Sequence, residues 1–500
     1  MIVHESFWKS TAATTASPAL DTDLEVDVCV IGAGIAGLTT AYLLARAGRS
    51  VVVLDDGPIG AGMTQMTSAH LTNAMDDRYA ELERLHGERG SQLAAESHTA
   101  AIERIGAIAA EEAIECEFAR VDGFLFLAEG DTRKTLEEEL AAAHRAGLSA
   151  VTLEDHGPFP SFETGPCLKF PRQAQFHPLK YLAGLARAFR NRGGQLYTAH
   201  AQSVDGGNPA QVKAGAHTVT AKSVVVATNV PINDRLVIHT KQAPYMTYVI
   251  GARIPKGSVP SVLSWDTGDP YHYIRVASLD TEDVLIVGGE DHKSGQAHDT
   301  GERHKQLEQW TRARFPMVTG IGFAWAGQVM ETIDYLAFSG RNPIDDDNIY
   351  VHTGDSGMGL THGTIGGMLI SDLILERPNP WVRLYDPSRK SLRAASEYAK
   401  ENLNVAKQYS DWVTPGDAKT TDDILPGEGA IMRRGPHKIA VYKDSNGTVQ
   451  ERSATCPHLG CIVQWNSTEN TWDCPCHGSR FDANGKVING PANVDLRPAE

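Results

Sequence analysis

Apolar and polar positions near the start of the chain follow the order strand, turn, helix, strand. The apolar run 26–31 (VDVCVI) precedes a glycine-rich turn, and the helical pattern LTTAYLLARAG after it ends at Gly48. A second apolar run, 51–54, ends at Asp55 and Asp56. Short apolar runs bounded by turns predict strands, and 3.6-residue periodicity predicts a helix. The pattern therefore predicts a βαβ unit of about 30 residues.

Longer blocks of helix-forming and strand-forming sequence follow. Residues 78–115 and 132–147 have the composition and spacing of helices, and 178–192 is amphipathic and followed by two glycines. Segments with strand-like alternation occupy roughly 218–290. This order predicts an antiparallel sheet inserted between the elements of the βαβ-containing domain.

The C-terminal part of the chain has a different pattern. Residues from 386 to about 426 are charged and helix-forming, which predicts a docking helix and a linker. Beyond them, the turn sequences DSNG (444–447) and DANG (482–485) separate short strand-like segments. These features predict a small all-β domain.

Composition and charge narrow the functional classes. A chain of 500 residues is expected to form about two to four domains. The net charge of -16 and the lack of a Lys/Arg block argue against nucleic-acid binding. No apolar run reaches the roughly 18 residues of a membrane span, and the N-terminus lacks the apolar core of a secretory signal. The sequence predicts a cytoplasmic protein without a transmembrane segment.

Cysteine and histidine residues cluster near the C-terminus. Cys456, His458, Cys474 and His477 form the pattern C-x-H…C-x-x-H. Two thiolates suit one iron and two imidazoles suit the other iron of a Rieske [2Fe–2S] centre. Cys2His2 sets also form tetrahedral zinc sites, so the four residues alone leave a zinc knuckle as an alternative.

The surrounding residues favour the iron–sulfur centre. The segments HLGC (458–461) and CHGS (476–479) resemble the Rieske proteins of quinol-oxidising complexes. That resemblance implies a disulfide between Cys461 and Cys476, a hydroxyl of Ser479 that donates to a cluster sulfur, and a third loop at 490–492. High-potential members of the family have Tyr where this chain has Phe481, so we predict a potential below the top of the Rieske range.

The glycine-rich turn after the first strand has the spacing GAGIAG, over residues 32–37. Glycines here let backbone N–H groups and the helix N-terminus approach a pyrophosphate, and Asp55 is placed to accept hydrogen bonds from ribose hydroxyls. The strand, turn and helix around it make dinucleotide binding the preferred interpretation.

Further motifs resemble the D-amino acid oxidase-like flavoproteins over roughly residues 24–385. GAGMT (60–64) resembles their loop under the flavin, FHP (176–178) the start of their long helix, and VVVATN (224–229) their second cofactor strand. NIYVHTGDSGMGL (348–360) resembles the closing strand, turn and helix. The resemblance implies FAD, bound non-covalently. The implied cofactor contacts are Gly32, Ala33, Gly34, Ala36, Gly37, Asp55, Asp56, Gly62, Thr64, Val204, Ala227, Thr228, Gly354, Met358, Gly359 and Leu360.

Together the two resemblances indicate a bacterial family of FAD-dependent oxidoreductases with a fused C-terminal Rieske domain. The expected fold is an α/β FAD-binding domain of Rossmann-like βαβ type, an interleaved antiparallel-sheet substrate domain and a small all-β Rieske domain. The predicted boundaries are a leader at 1–24, the oxidoreductase at 25–385, a helical linker at 386–425 and the Rieske domain at 426–500. FAD-binding elements are expected at about 25–75, 175–235 and 325–385, and substrate-domain elements at 76–174 and 236–324.

Catalytic residues are harder to predict, because the flavin itself does most of the chemistry. Tyr271 and Tyr273 lie on a strand where relatives place substrate-facing residues, and Arg275 is a candidate to hold a carboxylate, with sheet packing as the alternative. His362 is a candidate neighbour of the flavin ring or a helix cap. His70 is a weaker candidate for contact with, or covalent attachment to, the flavin.

One further cluster suggests a mononuclear iron site. Glu290, Asp291 and His292, with His298, contain suitable ligand types, but their spacing differs from that of Rieske oxygenases. A solvated loop is the preferred interpretation.

The expected reaction is oxidation of a C–N bond in a small amine or amino acid, with electrons passing from FAD through the Rieske cluster to a one-electron carrier. A ferredoxin, a cytochrome or a quinone-linked acceptor would serve. One alternative has electrons entering at the cluster to drive reductive or oxygen-activating flavin chemistry. Another is a redox-sensing or interaction protein whose Rieske domain is mainly structural.

Overall fold

The computed structural model describes residues 2–13, 16–233, 238–297 and 299–499. His298, a member of the candidate iron site, lies outside these residues. The α-helices are α1 (Phe7–Thr11), α2 (Ile35–Arg46), α3 (Tyr79–Glu111), α4 (Arg133–Arg145), α5 (Pro178–Asn191), α6 (Thr300–Arg314), α7 (Gly359–Ile374), α8 (Val382–Tyr385) and α9 (Ala395–Gln408).

The strands divide among four sheets. In the oxidoreductase part they are β1 (Leu24–Ile31), β2 (Val51–Asp55), β3 (His70–Leu71), β4 (Ala119–Phe126), β5 (Thr152–Glu154), β6 (Cys167–Gln175), β7 (Gln195–Thr198), β8 (Ala201–Asp205), β9 (Ala210–Ala214), β10 (His217–Val226), β11 (Gln242–Pro255), β12 (Leu263–Asp266), β13 (Tyr273–Ser278), β14 (Glu282–Lys293), β15 (Gly320–Thr332), β16 (Phe338–Arg341) and β17 (Ile349–Thr353). In the C-terminal part they are β18 (Gly429–Arg434), β19 (His437–Lys443), β20 (Val449–Ser453), β21 (Gln464–Asn466), β22 (Thr471–Asp473), β23 (Arg480–Asp482) and β24 (Val487–Asn489).

The first sheet has the order β16-β17-β10-β1-β2-β7, with β8 and β9 attached beside β10. Strand β1 pairs in parallel with both β2 and β10, and β17 continues the parallel arrangement. Val28 and Val30 of β1 are buried, and α2 and α7 pack closely against each other. Because parallel strands need crossovers, the sheet is covered by helices on its core face. The predicted βαβ unit is therefore present.

The second sheet has the order β15-β11-β14-β13-β12-β4-β6-β3, with β5 paired to β6. Its long central strands are antiparallel, and β12 and β4 form a parallel pair. The predicted antiparallel sheet is confirmed. Residues 325–332, expected among the FAD-binding elements, form the end of β15 and pair with β11 in this sheet.

The N-terminal segment is packed against the oxidoreductase domain. Phe7 and Trp8 of α1 are buried, and Trp8 donates from Nε1 to the carbonyl oxygen of Thr67 at 2.6 Å. The Thr11 hydroxyl lies 3.0 Å from Nε2 of His177 at the start of α5. The segment expected as a leader thus contributes a helix to the core.

The helix predicted over 78–115 forms as α3 but changes direction at Gly87, where φ is +73°. A left-handed backbone of this kind interrupts the helical hydrogen bonds and favours glycine. The local pattern predicts helix on both sides of this residue but does not predict the change of direction.

The C-terminal domain consists of a three-stranded sheet, β18-β19-β20, and a four-stranded sheet, β21-β22-β23-β24, both antiparallel. Asp444 and Asp482 begin the predicted turns, and the side chain of each accepts two backbone N–H bonds within its own turn. Helix α9 precedes the domain, and Tyr409 and Trp412 after it donate to carbonyl oxygens of the 456–461 loop. Among the described helices, none has the length and hydropathy of a membrane span.

Candidate functional site

The glycine-rich turn between β1 and α2 is closely packed. At Gly32, where φ is +110°, a Cβ would lie 2.3 Å from the carbonyl oxygen of Ala227, and at Gly37 it would lie 1.9 Å from that of Gly32. No side chain fits at either position, so the backbone of the turn packs directly against its neighbours. The first turn of α2 borders a cavity, which we call the nucleotide cleft. Its lining includes the sequence-predicted residues Gly32, Gly34, Ala36, Asp55, Asp56, Gly62, Thr64, Ala227, Thr228, Gly359 and Leu360.

Asp55 lies at the end of β2, inside the cleft. Its carboxylate accepts hydrogen bonds from the backbone N–H of Ala33 at 2.5 Å and of Gly57 at 2.8 Å. Burial raises the pKa of Asp55 to about 6, although these two N–H bonds act in the opposite direction. The neighbouring Asp56 carboxylate lies 3.4 Å from Nδ1 of His200, and that pairing lowers the pKa of Asp56.

The remaining predicted FAD contacts have other positions. Met358 lines the adjoining cavity rather than the cleft. Ala33 orients Asp55 through its N–H group, and Val204, a partly buried residue of β8, packs against the core of the first sheet. Gly354 lies against Thr332, so it supports the loop before α7 without lining the cleft.

Two parts of the cleft wall were not predicted. Residues 199–201, between β7 and β8, lie beside Asp56. The other part is a segment of the C-terminal domain around β24, comprising Val487, Ile488, Asn489, Gly490, Ala492 and Asn493. Neither segment carries a dinucleotide-binding motif, and each reaches the cleft only through tertiary packing.

A second cavity, which we call the inner cavity, shares Met63, Thr67, Asn229, Asp355, Gly359 and Leu360 with the nucleotide cleft. Tyr271 donates from its hydroxyl to Asp76 at 3.0 Å, and the Tyr273 hydroxyl lies 2.8 Å from that of Thr247. Both tyrosines line the cavity, as does Gln328. Among the described residues, no Lys or Arg lines it.

His70 also lines the inner cavity, and both of its ring nitrogens are engaged. Nε2 lies 3.1 Å from the carbonyl oxygen of Ile274, and Nδ1 lies 3.0 Å from the Ser68 hydroxyl. A carbonyl only accepts, so Nε2 carries the proton and Nδ1 accepts from Ser68. Burial lowers the pKa of His70 to about 3, which keeps the ring neutral.

Arg275 lies on the same strand as Tyr273 but outside both cavities. Its guanidinium donates to the carbonyl oxygens of Ala69 at 2.7 Å and Phe176 at 3.2 Å, and it lies over the Trp8 ring. Burial lowers the pKa of Arg275 to about 9. This enclosed position supports the sheet-packing interpretation and leaves no surface for a substrate carboxylate.

His362 lies within α7, outside both cavities. Nδ1 is 2.8 Å from the carbonyl oxygen of Asp355, and the ring packs 4.6 Å from that of His98. Burial lowers the pKa of His362 to about 4, so the ring is neutral. The bond to the loop before α7 matches the helix-capping alternative and not contact with a flavin ring.

A third cavity, which we call the acidic vestibule, adjoins the inner cavity at Asp76 and Tyr271 and has a volume of about 650 Å³. Eleven carboxylates and only two cationic side chains, Arg78 and Lys400, line it. In the described part of the chain, seven of the carboxyl groups form no ion pair with Lys or Arg. They are Asp76, Asp77, Glu139, Asp266, Asp269, Asp291 and Glu331.

The titration of these groups reflects their crowding. Burial raises the pKa of Asp76 to about 6 and that of Asp291 to about 7. Burial, together with repulsion from neighbouring carboxylates, raises the pKa of Asp77 and of Glu331 well above its usual range. A bound cation would offset both causes.

The candidate iron site at 290–292 is part of strand β14 and not a solvated loop. Glu290 pairs with Arg303 at 3.5 Å and with His272 at 3.4 Å, whereas Nε2 of His292 lies 3.0 Å from the Tyr248 hydroxyl. Asp291 faces the vestibule. The three side chains point to different surroundings, so they do not converge on one ion.

The four cysteines of the C-terminal domain comprise one disulfide-bonded pair and one free pair. Cys461 and Cys476 form the expected disulfide, whereas Cys456 and Cys474 are free and buried. Cys474 lies within 4.8 Å of both disulfide sulfurs, but those sulfurs are already bonded to each other. The Cys456 thiol instead forms a hydrogen bond with the Cys474 thiol, so the two free thiols face each other.

Hydrogen bonds surround this thiol pair. The bond between the two thiols lowers the pKa of Cys456 and raises that of Cys474. Cys456 also accepts from the backbone N–H of His458 and from the Ser479 hydroxyl, which in turn accepts from Ala492 N–H at 3.0 Å. Such donors stabilise thiolate ligands of iron.

The two histidines face each other and the oxidoreductase domain. The rings of His458 and His477 are 5.0 Å apart, and Nδ1 of His477 is buried without a hydrogen-bond partner. Burial lowers the pKa of His477 to about 4, so its ring is neutral as ligation requires. His239, from the oxidoreductase domain, lies 5.0 Å from the His458 ring and 5.9 Å from the His477 ring.

Comparison with known proteins identifies both parts. Residues 27–373 match the model of the FAD dependent oxidoreductase family, and residues 415–499 match the Rieske [2Fe-2S] domain. The chain is an FAD-dependent oxidoreductase of this family. It is 31% identical to the Rieske 2Fe-2S iron-sulfur protein YhfW of Bacillus subtilis (strain 168) over 497 residues, 99% of this chain and 97% of the relative.

Two further relatives cover the oxidoreductase domain. Gamma-glutamylputrescine oxidoreductase of Escherichia coli (strain K12) is 28% identical over 393 residues, 75% of this chain and 90% of the relative. Glycine oxidase from Geobacillus kaustophilus shares the fold with a TM-score of 0.63 and 15% identity, covering 73% of this chain and 99% of that chain.

The residues fit the two cofactors of this architecture, FAD and a Rieske [2Fe–2S] cluster. The steric requirement for Gly32 and Gly37 and the polar cleft around Asp55 suit a dinucleotide. The free thiol pair and the unpartnered Nδ1 of His477 suit a cluster with two thiolate and two imidazole ligands. The expected fold class, cofactors and enzyme type are thereby confirmed.

Proposed function

We propose that this oxidoreductase oxidises a C–N bond of a cationic amine and delivers the electrons through its Rieske cluster to an external one-electron carrier. The cluster would be held by Cys456, His458, Cys474 and His477. The proposed electron path rests on the position of the Gln328 side chain. It lines the inner cavity and donates from Nε2 to the carbonyl oxygen of Gly478 at 2.8 Å, next to His477.

The choice of a cation rests on the vestibule. A positive ligand would relieve the repulsion that raises the pKa of Asp77 and Glu331, whereas a carboxylate ligand would increase it. The inner cavity offers an amino acid no Arg or Lys among the described residues, and Arg275 is enclosed elsewhere. A diamine or an N-acylated diamine is therefore favoured over an amino acid. The name of the Escherichia coli relative, gamma-glutamylputrescine oxidoreductase, is in line with this class.

The chain's own groups would prepare such a substrate. Bound FAD supplies the hydride acceptor, and the cluster supplies one-electron transfer. Hydride leaves readily only from a carbon next to a neutral nitrogen, so the reacting ammonium has to lose a proton. Asp76 lines both the inner cavity and the acidic vestibule, and it accepts a hydrogen bond from Tyr271. This position offers a carboxylate that can accept the proton from the reacting ammonium. The second ammonium of a free diamine would remain in the vestibule.

The cluster edge faces inward. His239 packs against both candidate ligand histidines, and Gln328 also accepts a hydrogen bond from Asn489 through its side-chain oxygen. Since electron transfer weakens steeply with distance, a cluster whose histidines contact the flavin domain favours intramolecular transfer over a purely structural role.

Anaerobic mixing of the oxidised enzyme with diamines, N-acylated diamines and amino acids tests the proposal. We expect a diamine-class compound to bleach the flavin first, followed by the EPR signal of the reduced cluster. Amino acids of the same chain length serve as the matched control and should bleach it far more slowly.

Other outcomes would contradict particular parts. Bleaching by amino acids but not by diamines would overturn the substrate class. A flavin that is reduced while the cluster stays oxidised would overturn the electron path. Faster filling of the cluster by a reduced carrier, with electrons then reaching the flavin, would reverse the direction.

A further inference from the structure

We propose that the Rieske domain forms part of the FAD site, so that FAD is retained between the two domains. The segment concerned, residues 487–493, is called the cover loop. Six of its residues line the nucleotide cleft together with Gly32, Gly34 and Asp55. FAD bound to the glycine-rich turn would therefore be enclosed on one side by a domain that dinucleotide-binding folds do not include.

Two residues of the cover loop form hydrogen bonds with the oxidoreductase domain. Asn493 donates from Nδ2 to the carbonyl oxygens of Ala201 at 2.8 Å and Gln202 at 3.0 Å, and its own carbonyl oxygen lies 3.1 Å from Nε2 of His200. Asn489 donates to the side chain of Gln328. Two separate anchor points place the loop over the cleft.

Packing leaves the loop little freedom between these anchors. A Cβ at Gly490 would lie 3.3 Å from the carbonyl oxygen of Val230, so even a methyl group there would require a shift of a few tenths of an ångström. The Ala492 N–H group donates to Ser479, beside the candidate cluster ligands. The same seven residues thus contact the cluster surroundings on one side and the cleft on the other.

The charge of the loop suits a dinucleotide. Its sequence, VINGPAN, contains no acidic residue, although the whole chain has a net charge of -16. Approaching a pyrophosphate with carboxylates would be repulsive, whereas amide side chains and backbone N–H groups are compatible with it. His200 lies at the same wall, and its hydrogen bond with Asp56 raises its pKa, which favours the protonated ring.

The consequence is a reciprocal dependence. If the docked loop strengthens FAD binding, bound FAD must strengthen docking of the Rieske domain by the same free energy. The Rieske domain would then dock more tightly when FAD is bound than when it is absent. This inference does not depend on the substrate.

The release of FAD from the purified full-length enzyme tests the proposal. In Asn493→Ala, loss of the two bonds donated by the side chain should accelerate release about tenfold, followed by the fluorescence of free FAD after dilution. Asn484→Ala is the matched control, because Asn484 is an exposed asparagine of the same domain outside the cleft. Its release rate should stay within about twofold of wild type. EPR of the reduced cluster verifies that both variants retain a folded Rieske domain.

A rate in Asn493→Ala within twofold of wild type, with the cluster intact, would overturn the proposal. If Asn493→Ala does not retain its cluster, hydrogen exchange in the wild-type chain decides. FAD should then slow exchange in the cover loop but not in the turn at 444–447 of the same domain. Equal exchange of the loop with and without FAD would be the contrary result.

Discussion

The Rieske centre and the substrate site are built in opposite ways. The candidate cluster ligands, the disulfide and Ser479 lie within residues 456–479, on two loops of one small domain. The inner cavity and the acidic vestibule draw on segments from residue 63 to residue 401, contributed by strands of the second sheet, by helices that include α9 and by the loops between them. A compact motif is recognisable in sequence, whereas a cavity assembled from distant segments is visible only after folding.

Their electrostatics differ as well. Around the thiol pair, backbone N–H groups and the Ser479 hydroxyl stabilise negative charge. Around Asp76, Asp77 and Glu331, burial and mutual repulsion disfavour it. The first region is complete as an anionic ligand set, but the second has an excess of negative charge that a positive ligand would offset. The four predictions that follow test this difference.

Replacing one cysteine of the thiol pair should have the largest effect. Cys474→Ser removes a thiolate for which a serine hydroxyl is a poor substitute, so iron content and the reduced-Rieske EPR signal should be lost. With FAD present in excess, diamine should still bleach the flavin, and turnover with a one-electron acceptor should cease. Cys116→Ala, at a buried free cysteine distant in sequence, is the control and should keep the cluster. Unchanged turnover in Cys474→Ser would indicate a structural Rieske domain.

Removing one charge from the substrate site should have the next largest effect. Asp76→Asn keeps the size of the side chain but removes its charge, so kcat/KM for a diamine should fall about 10- to 100-fold, as expected for a charged hydrogen bond. Glu137→Gln is the control, because the Glu137 side chain lies outside the vestibule, is 55% exposed and is paired with Arg133. It should change kcat/KM less than about twofold. An equal loss in both variants would mean that only the overall charge matters.

The same contrast explains how far the sequence predicts the molecule. The βαβ unit, the turn glycines and the Rieske motif follow from local spacing, because neighbours in sequence are neighbours in space. Arg275 could not be placed in this way. It shares a strand face with Tyr273, but α1 covers that part of the sheet with Trp8 and encloses the guanidinium. The sequence gives no signal for that packing.

Other differences have the same origin. The helical periodicity of α7 does not reveal that His362 turns toward His98 and away from the cleft. Asp76 and Glu331 are separated by most of the oxidoreductase domain and belong to no motif. The pair Asp76-Asp77 beside a helix start is the only local hint of the vestibule, and on its own it is typical of a solvated turn.

Varying the pH should change cation binding by a smaller factor. Burial raises the pKa of Asp76 to about 6 and of Asp291 to about 7, so both carboxyl groups are mostly neutral at pH 5 and mostly ionised at pH 8. A cation binds the ionised form, and its affinity should therefore rise about tenfold between pH 5 and pH 8 and then level off. The Kd of a bis-quaternary diammonium measures this, because its own charge is fixed. Affinity that falls with increasing pH would contradict the assignment of the vestibule.

The smallest predicted effect concerns the potential of the cluster. Phe481 is fully buried on β23 and packs in the same apolar cluster as Cys456 and Cys474, at the position where high-potential relatives carry Tyr. A hydroxyl there would stabilise the more negative, reduced cluster by about 1 kcal/mol, so Phe481→Tyr should raise the potential by about 40 mV. Ser479→Ala removes the existing hydroxyl donor to Cys456 and should lower the potential by a similar amount.

Redox titration followed by EPR measures both variants, and the cluster content of each verifies that the domain is intact. A higher potential in Phe481→Tyr together with a lower potential in Ser479→Ala would show that the hydroxyls around the thiol pair set the potential. No shift in Phe481→Tyr with a full cluster would mean that a hydroxyl at this position does not reach the sulfurs.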